Sequence, residues 1–200
     1  MNKPPVLLIP GTLCTPEVFD GQVETVKSLA PRVDTVRFNL EASIPEMAET
    51  ALRSIRSSNH AVVIGFSMGG MVAMEIARRA PERVAGLVLI NSNAHADLPG
   101  RRLARLKHLR EAREHGMASM IRKYYLERYL FKPHADAETL ITRMAEELGQ
   151  DCFAAQVEAL ATRPDSSEVL AGIACPTLII GSSDDELCPT SEQLRMHDLS

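Results

Sequence analysis

The chain has no apolar run long enough to cross a bilayer, and its opening stretch, MNKPPVLLIPG, carries one lysine and only four consecutive apolar residues before Pro10. That is too short for the apolar segment of a signal peptide, so the expected location is cytoplasmic and no membrane is expected as a partner. Positive charge is not in excess either: 22 Lys and Arg stand against 26 Asp and Glu, a formal net charge of −4, which argues against nucleic acid as the main partner. Four cysteines, Cys14, Cys152, Cys175 and Cys188, show no paired metal-ligand spacing. With 200 residues, 45% of them hydrophobic, the chain can build a sizeable core without a disulfide framework. The four therefore read as free thiols in a reducing compartment. There is no internal repeat and no low-complexity segment.

What is present concentrates at residues 60–74, HAVVIGFSMGGMVAM. Val62, Val63 and Ile64 have the composition of a buried strand, and residues 71–79 form helix readily, so the intervening Gly65-Phe66-Ser67-Met68-Gly69-Gly70 is a sharp strand-to-helix turn. A residue at the apex of such a turn is forced into a strained backbone conformation, and the residues two before and two after it must be small. Gly65 and Gly69 meet that need for Ser67. The serine hydroxyl then projects from the carboxyl end of the strand, beside the helix start, where partial positive charge collects. The plainer reading is a glycine-rich turn that only packs strand on helix.

The rest of the first half alternates strand and helix. Val6–Ile9 reads as a buried strand, ending in a Pro10-Gly11-Thr12-Leu13 turn that places backbone N–H groups at its carboxyl end. A helical pattern from Pro16 runs through Phe19, Val23, Val26 and Leu29 and closes at Pro31. Residues 33–38 read as a strand nearer a sheet edge. Ser43 and Glu46 form a capping box for a helix presenting Met47, Ala51, Leu52 and Ile55 on one face. Residues 86–90 make another apolar strand. This alternation predicts an α/β fold: a mostly parallel sheet covered by helices on both faces.

After Asn91 the rhythm breaks. Helical segments are expected at 101–115, 117–131, 136–148 and 152–162, before the sheet pattern returns at Pro176-Thr177-Leu178-Ile179-Ile180-Gly181. The expected organisation is a core in two parts, 1–97 and 166–200, around a helical cap at 98–165. Its alternative is a helical bundle without a role in the site. The run from Arg101 to Arg110 has the look of a basic amphipathic helix; nearby glutamates offset its charge, so it reads as a solvated outer face. Tyr124, Tyr125 and Tyr129 with Phe131 suit the interior of the cap, or the lining of a pocket.

These stretches together, LLIPGT, GFSMGG, APERVAGLVLINS and PTLIIGSSDDELCP, resemble the α/β-hydrolase family, in particular its small serine esterases and lactonases with a helical cap. The resemblance implies that Ser67 is the nucleophile, that the backbone N–H groups of Thr12 and Met68 form an oxyanion hole, and that the acid lies in the loop after Gly181. Pro10-Gly11 stands where the family commonly has His-Gly. Asp185 fits the family's spacing to Pro189 and Asp184 fits the distance from Gly181; Asp185 is preferred. The implied chemistry is cleavage of a small carboxylic ester or lactone through an acyl-enzyme, with no cofactor and no metal. The partner is then a small ester-like molecule, and the oligomeric state is left open.

One departure matters. The family's histidine lies on a loop after a further strand, whereas here only His197 follows Asp185. His197 sits in 190–199, which reads as a helix running away from the acid loop, roughly 10 Å or more off at 1.5 Å per residue. His60 precedes the elbow strand at the far end of the sheet, and His95, His108, His115 and His134 belong to the cap or its entrance. The sequence is therefore expected to be a C-terminally shortened form of a longer hydrolase, lacking the last strand and helix and leaving a sheet edge uncovered. The competing expectation is a non-catalytic or partner-dependent binding protein on the same scaffold.

Overall fold

The computed structural model describes residues 3–56, 58 and 60–200; Met1 and Asn2, which head the amino-terminal stretch considered above, lie outside the described residues. Strand β1 (Val6–Ile9) is buried at all four positions, as a strand covered on both faces must be. A 3-10 turn with proline at its start, Pro16–Phe19, leads into α1 (Asp20–Leu29). Strand β2 is only Val33–Thr35. It is shorter than expected: Val36 N still donates to Leu8 O at 3.1 Å, but the pairing register ends at Thr35, and Val36 and Phe38, each 2% exposed, join the core shared with helix α2 (Ile44–Ser54). Ser43 caps that helix, its Oγ accepting from Glu46 N at 3.2 Å. The reciprocal bond reaches one residue further back than a capping box requires, from Ala42 N to the Glu46 carboxylate.

Next come β3 (Ala61–Phe66), α3 (Met68–Arg79) and β4 (Val84–Ile90). Helices α4 (Arg101–His115), α5 (Met117–Tyr124), α6 (Leu126–Tyr129) and α7 (Ala135–Ala161) follow. The helix expected over 117–131 is thus interrupted at Tyr125 and stops at Tyr129. The two helices expected over 136–148 and 152–162 both lie within Ala135–Ala161, parted by a kink at Gly149, where φ is +76° and ψ 176°. Short α8 (Ser167–Ala171), β5 (Thr177–Ile180) and α9 (Thr190–Leu199) complete the chain.

The five strands form one parallel sheet in the order β2-β1-β3-β4-β5. On one face, Leu7, Ile9, Val63, Leu87 and Leu89 pack against α2, α3, α8 and α9. On the other face α1 covers Val6 and Leu8. It does not extend over the far side, where Leu178 is 53% and Ile180 42% exposed. By register these lie beside Val88 and Ile90 on one surface of the sheet.

The inserted helices have their own core, built from Leu109, Met120, Ile121, Tyr125, Phe153 and Val157, with Tyr124 and Tyr129 packed against it. Phe131 is 74% exposed and lines nothing. Helix α4 is less amphipathic than its sequence suggests: it buries Leu109 and Ala112 while Leu103 is 73% exposed. At the root of the insertion, Asp97 accepts from Arg163 Nη1 at 2.7 Å and pairs with Arg105. All three are nearly buried, and burial pushes the Arg163 guanidinium below its ordinary value despite the carboxylate.

Candidate active site

Between the end of β3 and the start of α3 stands a single residue, Ser67, with φ +53° and ψ −117°. A side-chain-bearing residue held there costs about 1–3 kcal/mol, which the surroundings must overcome. They do so by close approach. A Cβ built on Gly65 would lie 2.3 Å from Gly69 O, and one on Gly69 would lie 2.1 Å from Ile9 O. The backbone of the elbow therefore rests directly on strand β1. Gly70 has the same constraint, since a Cβ there would meet Ser92 Oγ at 2.4 Å. The doubled glycine in GFSMGG was the sequence signal for it, and the pattern reading passed over it. Ser67 N donates to Ile90 O at 2.8 Å, and Ser67 O accepts from Ser92 Oγ and Gly70 N, both at 2.9 Å. With its main chain tied on both sides, the half-buried side chain is left at the carboxyl end of the sheet.

The turn after β1 comes to the same place. A Cβ on Gly11 would be 3.1 Å from Ser67 Cβ, so the peptide leading to Thr12 runs alongside the serine. Thr12 Oγ1 is 3.7 Å from Met68 Sδ, which joins the two residues expected to supply main-chain donors. Met68 is the first residue of α3, and its N–H has no carbonyl one turn back within the helix. Among the described residues, neither Thr12 N nor Met68 N has a hydrogen-bond acceptor. The next residue, Leu13, has φ +56° and donates its N–H to Gln156 Oε1 at 2.9 Å. Gln156 belongs to α7 and is 1% exposed, a tie between this loop and the insertion that nothing in the sequence signalled.

In the loop after β5 the two aspartates differ. Asp184 is exposed and accepts from Ser183 Oγ. Asp185 is half-buried and fully organised: Oδ1 accepts from Leu187 N at 2.7 Å and Cys188 N at 2.9 Å, and Oδ2 from Asn91 Nδ2 at 2.6 Å. Asn91 directly follows β4, so the strand beside the elbow also holds this carboxylate.

Among the described residues no histidine hydrogen-bonds to Ser67 or Asp185. His95 Nδ1 is 2.7 Å from Ala96 O, with Nε2 3.9 Å from Glu192. His108 contacts Tyr125 Oη, His115 lies beside Glu111, His134 caps α7, His197 is 77% exposed, and His60 is exposed before β3. The four cysteines are free thiols. Two of them border the site: Cys14 Sγ donates to Thr12 O, and Cys188 N holds Asp185. Burial pushes the Cys14 thiol up to about 12 and Cys188 to about 11, so neither is a thiolate near neutrality. Among the described residues bordering the cleft, Ser67 is then the nucleophile candidate that burial does not disfavour. No group of three or more His, Cys, Asp or Glu among the described residues is arranged to hold a metal, and no helix there is long and apolar enough to cross a membrane.

The profile of the alpha/beta hydrolase family matches residues 6–199. RutD of Azorhizobium caulinodans, provisionally named a carbamate hydrolase, is 31% identical over 156 residues, 74% of this chain and 58% of that protein. The chain thus spans less than two thirds of that relative. A thermophilic esterase from Thermogutta terrifontis superposes with a TM-score of 0.85 at 26% identity, covering 99% of this chain and 78% of the esterase. The enol-lactonase of Burkholderia xenovorans LB400 shares the fold with the same TM-score at 19% identity, covering 100% and 80%.

Proposed function

The chain belongs to the alpha/beta hydrolase family, and from that premise we propose that it is a serine hydrolase of small carboxylic esters or lactones working through an acyl-enzyme. The observation that carries this reading is the strained presentation of Ser67 beside two unengaged main-chain donors. Ser67 Oγ attacks the carbonyl carbon while its proton passes to a base. The tetrahedral oxyanion is received by the N–H groups of Thr12 and Met68, where the positive end of α3 adds to the field. Each such donor lowers the barrier by roughly 3 kcal/mol. Collapse expels the alcohol, and water then releases the acid. No described histidine meets Asp185; the carboxylate, anchored on both oxygens, is the group that would orient and stabilise the imidazole taking up that proton, and free imidazole stands in for it in the test below. The likeness to an esterase at 26% identity supports the bond class, and the Leu13–Gln156 bond, which joins the inserted helices to the loop beside the serine, supports a cap role in choosing the substrate.

A second reading has its own observation. No described histidine reaches Ser67, which favours a non-catalytic or partner-dependent binding protein on the same scaffold. The test is labelling by a fluorophosphonate probe and hydrolysis of p-nitrophenyl acetate, each with and without added imidazole, in wild type and Ser67→Ala. The hydrolase reading expects slow Ser67-dependent acylation that free imidazole accelerates. Equal rates in the two proteins, with imidazole present, remove Ser67 from the chemistry and favour the binding protein.

A further inference from the structure

The segment Asn91-Ser92-Asn93 emerges from β4 between the two halves of the site and is engaged in both directions. Toward the elbow, Ser92 Oγ donates to Ser67 O at 2.9 Å. Toward the acid loop, Asn91 Nδ2 donates to Asp185 Oδ2 at 2.6 Å and Asn93 Nδ2 lies 3.7 Å from Cys188 Sγ. The loop is closed from the other side by Gln193 of α9, whose Nε2 donates to Ser92 O at 2.8 Å and to Cys188 O at 3.2 Å. Ser92, Asn93 and Gln193 are all more than nine-tenths buried, so these bonds form out of competition with water.

Asn91 satisfies two demands at once. Its φ is +46°, the left-handed region that few residues other than glycine, asparagine and aspartate adopt cheaply. Its N–H still completes the ladder to Ile180 O at 2.8 Å, so the chain turns immediately after the last sheet bond. That turn aims the side-chain amide at the carboxylate. A carboxylate only accepts, so the group facing it must be the amide N–H₂. With Leu187 N and Cys188 N on the other oxygen, the plane of the Asp185 carboxyl is fixed from two elements instead of one.

We propose that Asn91 is a positioning residue: its amide sets the orientation of the Asp185 carboxylate, and through its neighbour Ser92 the acid and the Ser67 elbow are held as one unit. The inference rests on the serine-hydrolase reading for its catalytic consequence, but not for the anchoring itself. The two are tested separately on the full chain. Asn91→Gly accepts φ +46° without strain and removes the side chain with its amide, so the fold should be kept and the melting temperature should fall only by what one lost hydrogen bond to a carboxylate brings. Asn91→Asp keeps the backbone preference and sets a carboxylate against a carboxylate. In ¹H–¹⁵N spectra the Leu187 and Cys188 amide protons, which report the bonds to Asp185, should move in both variants toward their positions in Asp185→Ala. In fluorophosphonate labelling with imidazole added, the maximal rate at Ser67 should fall about tenfold in Asn91→Gly, with the half-saturating probe concentration unchanged.

Leu187 and Cys188 resonances that stay at their wild-type positions in Asn91→Gly overturn the proposal. So does a shift accompanied by an unchanged labelling rate in a wild-type chain that labels at Ser67. If wild type does not label at all, the amide shifts still decide whether Asn91 anchors the carboxylate, and only the hydrolase reading is lost.

Discussion

Leu13 N and Gln156 Oε1 meet at 2.9 Å across 143 positions of chain, the first in the loop beside the serine and the second deep in the inserted helices. Gln156→Leu removes the acceptor and leaves a buried N–H unsatisfied, at a cost of about 1–3 kcal/mol. Gln156→Glu retains an acceptor oxygen but places a carboxylate where the side chain is 1% exposed, so it must hold a proton to stay folded. Urea unfolding should show the stated loss for the leucine variant at every pH and, for the glutamate variant, a loss that shrinks as pH falls, while fluorophosphonate labelling of Ser67 should be slower in the leucine variant than in wild type, because Thr12 precedes the loosened residue.

Gly69 and Gly21 give opposite responses to one methyl group. A Cβ on Gly69 meets main-chain atoms of Ile9 and Pro10, which cannot step aside without parting the elbow from β1. Gly69→Ala should lose more than about 3 kcal/mol or fail to accumulate as folded protein. Gly21 lies in α1 with nothing within 4 Å of the added atom, so Gly21→Ala should gain about 0.5–1 kcal/mol from the helical preference of alanine. Parallel thermal melts read both.

The root of the insertion depends on a buried ion cluster. Asp97→Ala leaves Arg163, 6% exposed, without its carboxylate, and removal of one partner from a buried pair costs about 3–5 kcal/mol. The triple variant Asp97→Leu, Arg105→Met and Arg163→Met should recover much of that loss, since all three charges are then gone. Calorimetry of the three proteins distinguishes a missing attraction from a stranded cation.

Stability should fall with acid in a defined window. His108 sits among Tyr124 and Tyr125, and burial first, then Arg128, Lys107 and Arg105, hold its value down to about 4, against an ordinary 6.5. Between those values the unfolded chain binds a proton that the folded chain refuses, so stability decreases as pH drops from about 6.5 to about 4 and levels off below. The contribution is fully present above 6.5. His108→Phe, which keeps the ring against Tyr124, should flatten that part of the curve of melting temperature against pH.

Much of this was legible from local pattern. Ser67, Gly65 and Gly69 were readable because a strand that turns into a helix in one residue has a strict steric signature. The parallel sheet followed from apolar runs separated by periodic helices. Asp185 could be preferred over Asp184 only by spacing; what sets it apart in the structure is three donors, one of them 94 positions away on Asn91, which no window of sequence contains. The role of Gln156 was invisible for the same reason. Strand β2 was overestimated because Val36 and Phe38 look like strand residues, yet past the Val36 N–Leu8 O bond the pairing stops and both join the core shared with α2. The break at Gly149 was readable as the gap between two helical patterns, though not the positive φ at which the chain kinks between them.

The half-bare surface of the sheet sets the conditions under which this protein can be handled. Leu178 and Ile180 present adjacent aliphatic side chains to water next to Val88 and Ile90. Sulfate and phosphate strengthen apolar contact by being excluded from protein surfaces. Light scattering at fixed protein concentration should therefore climb as ammonium sulfate is added, and Leu178→Lys should suppress the climb. Storage buffers chosen to stabilise other enzymes would bring these molecules together.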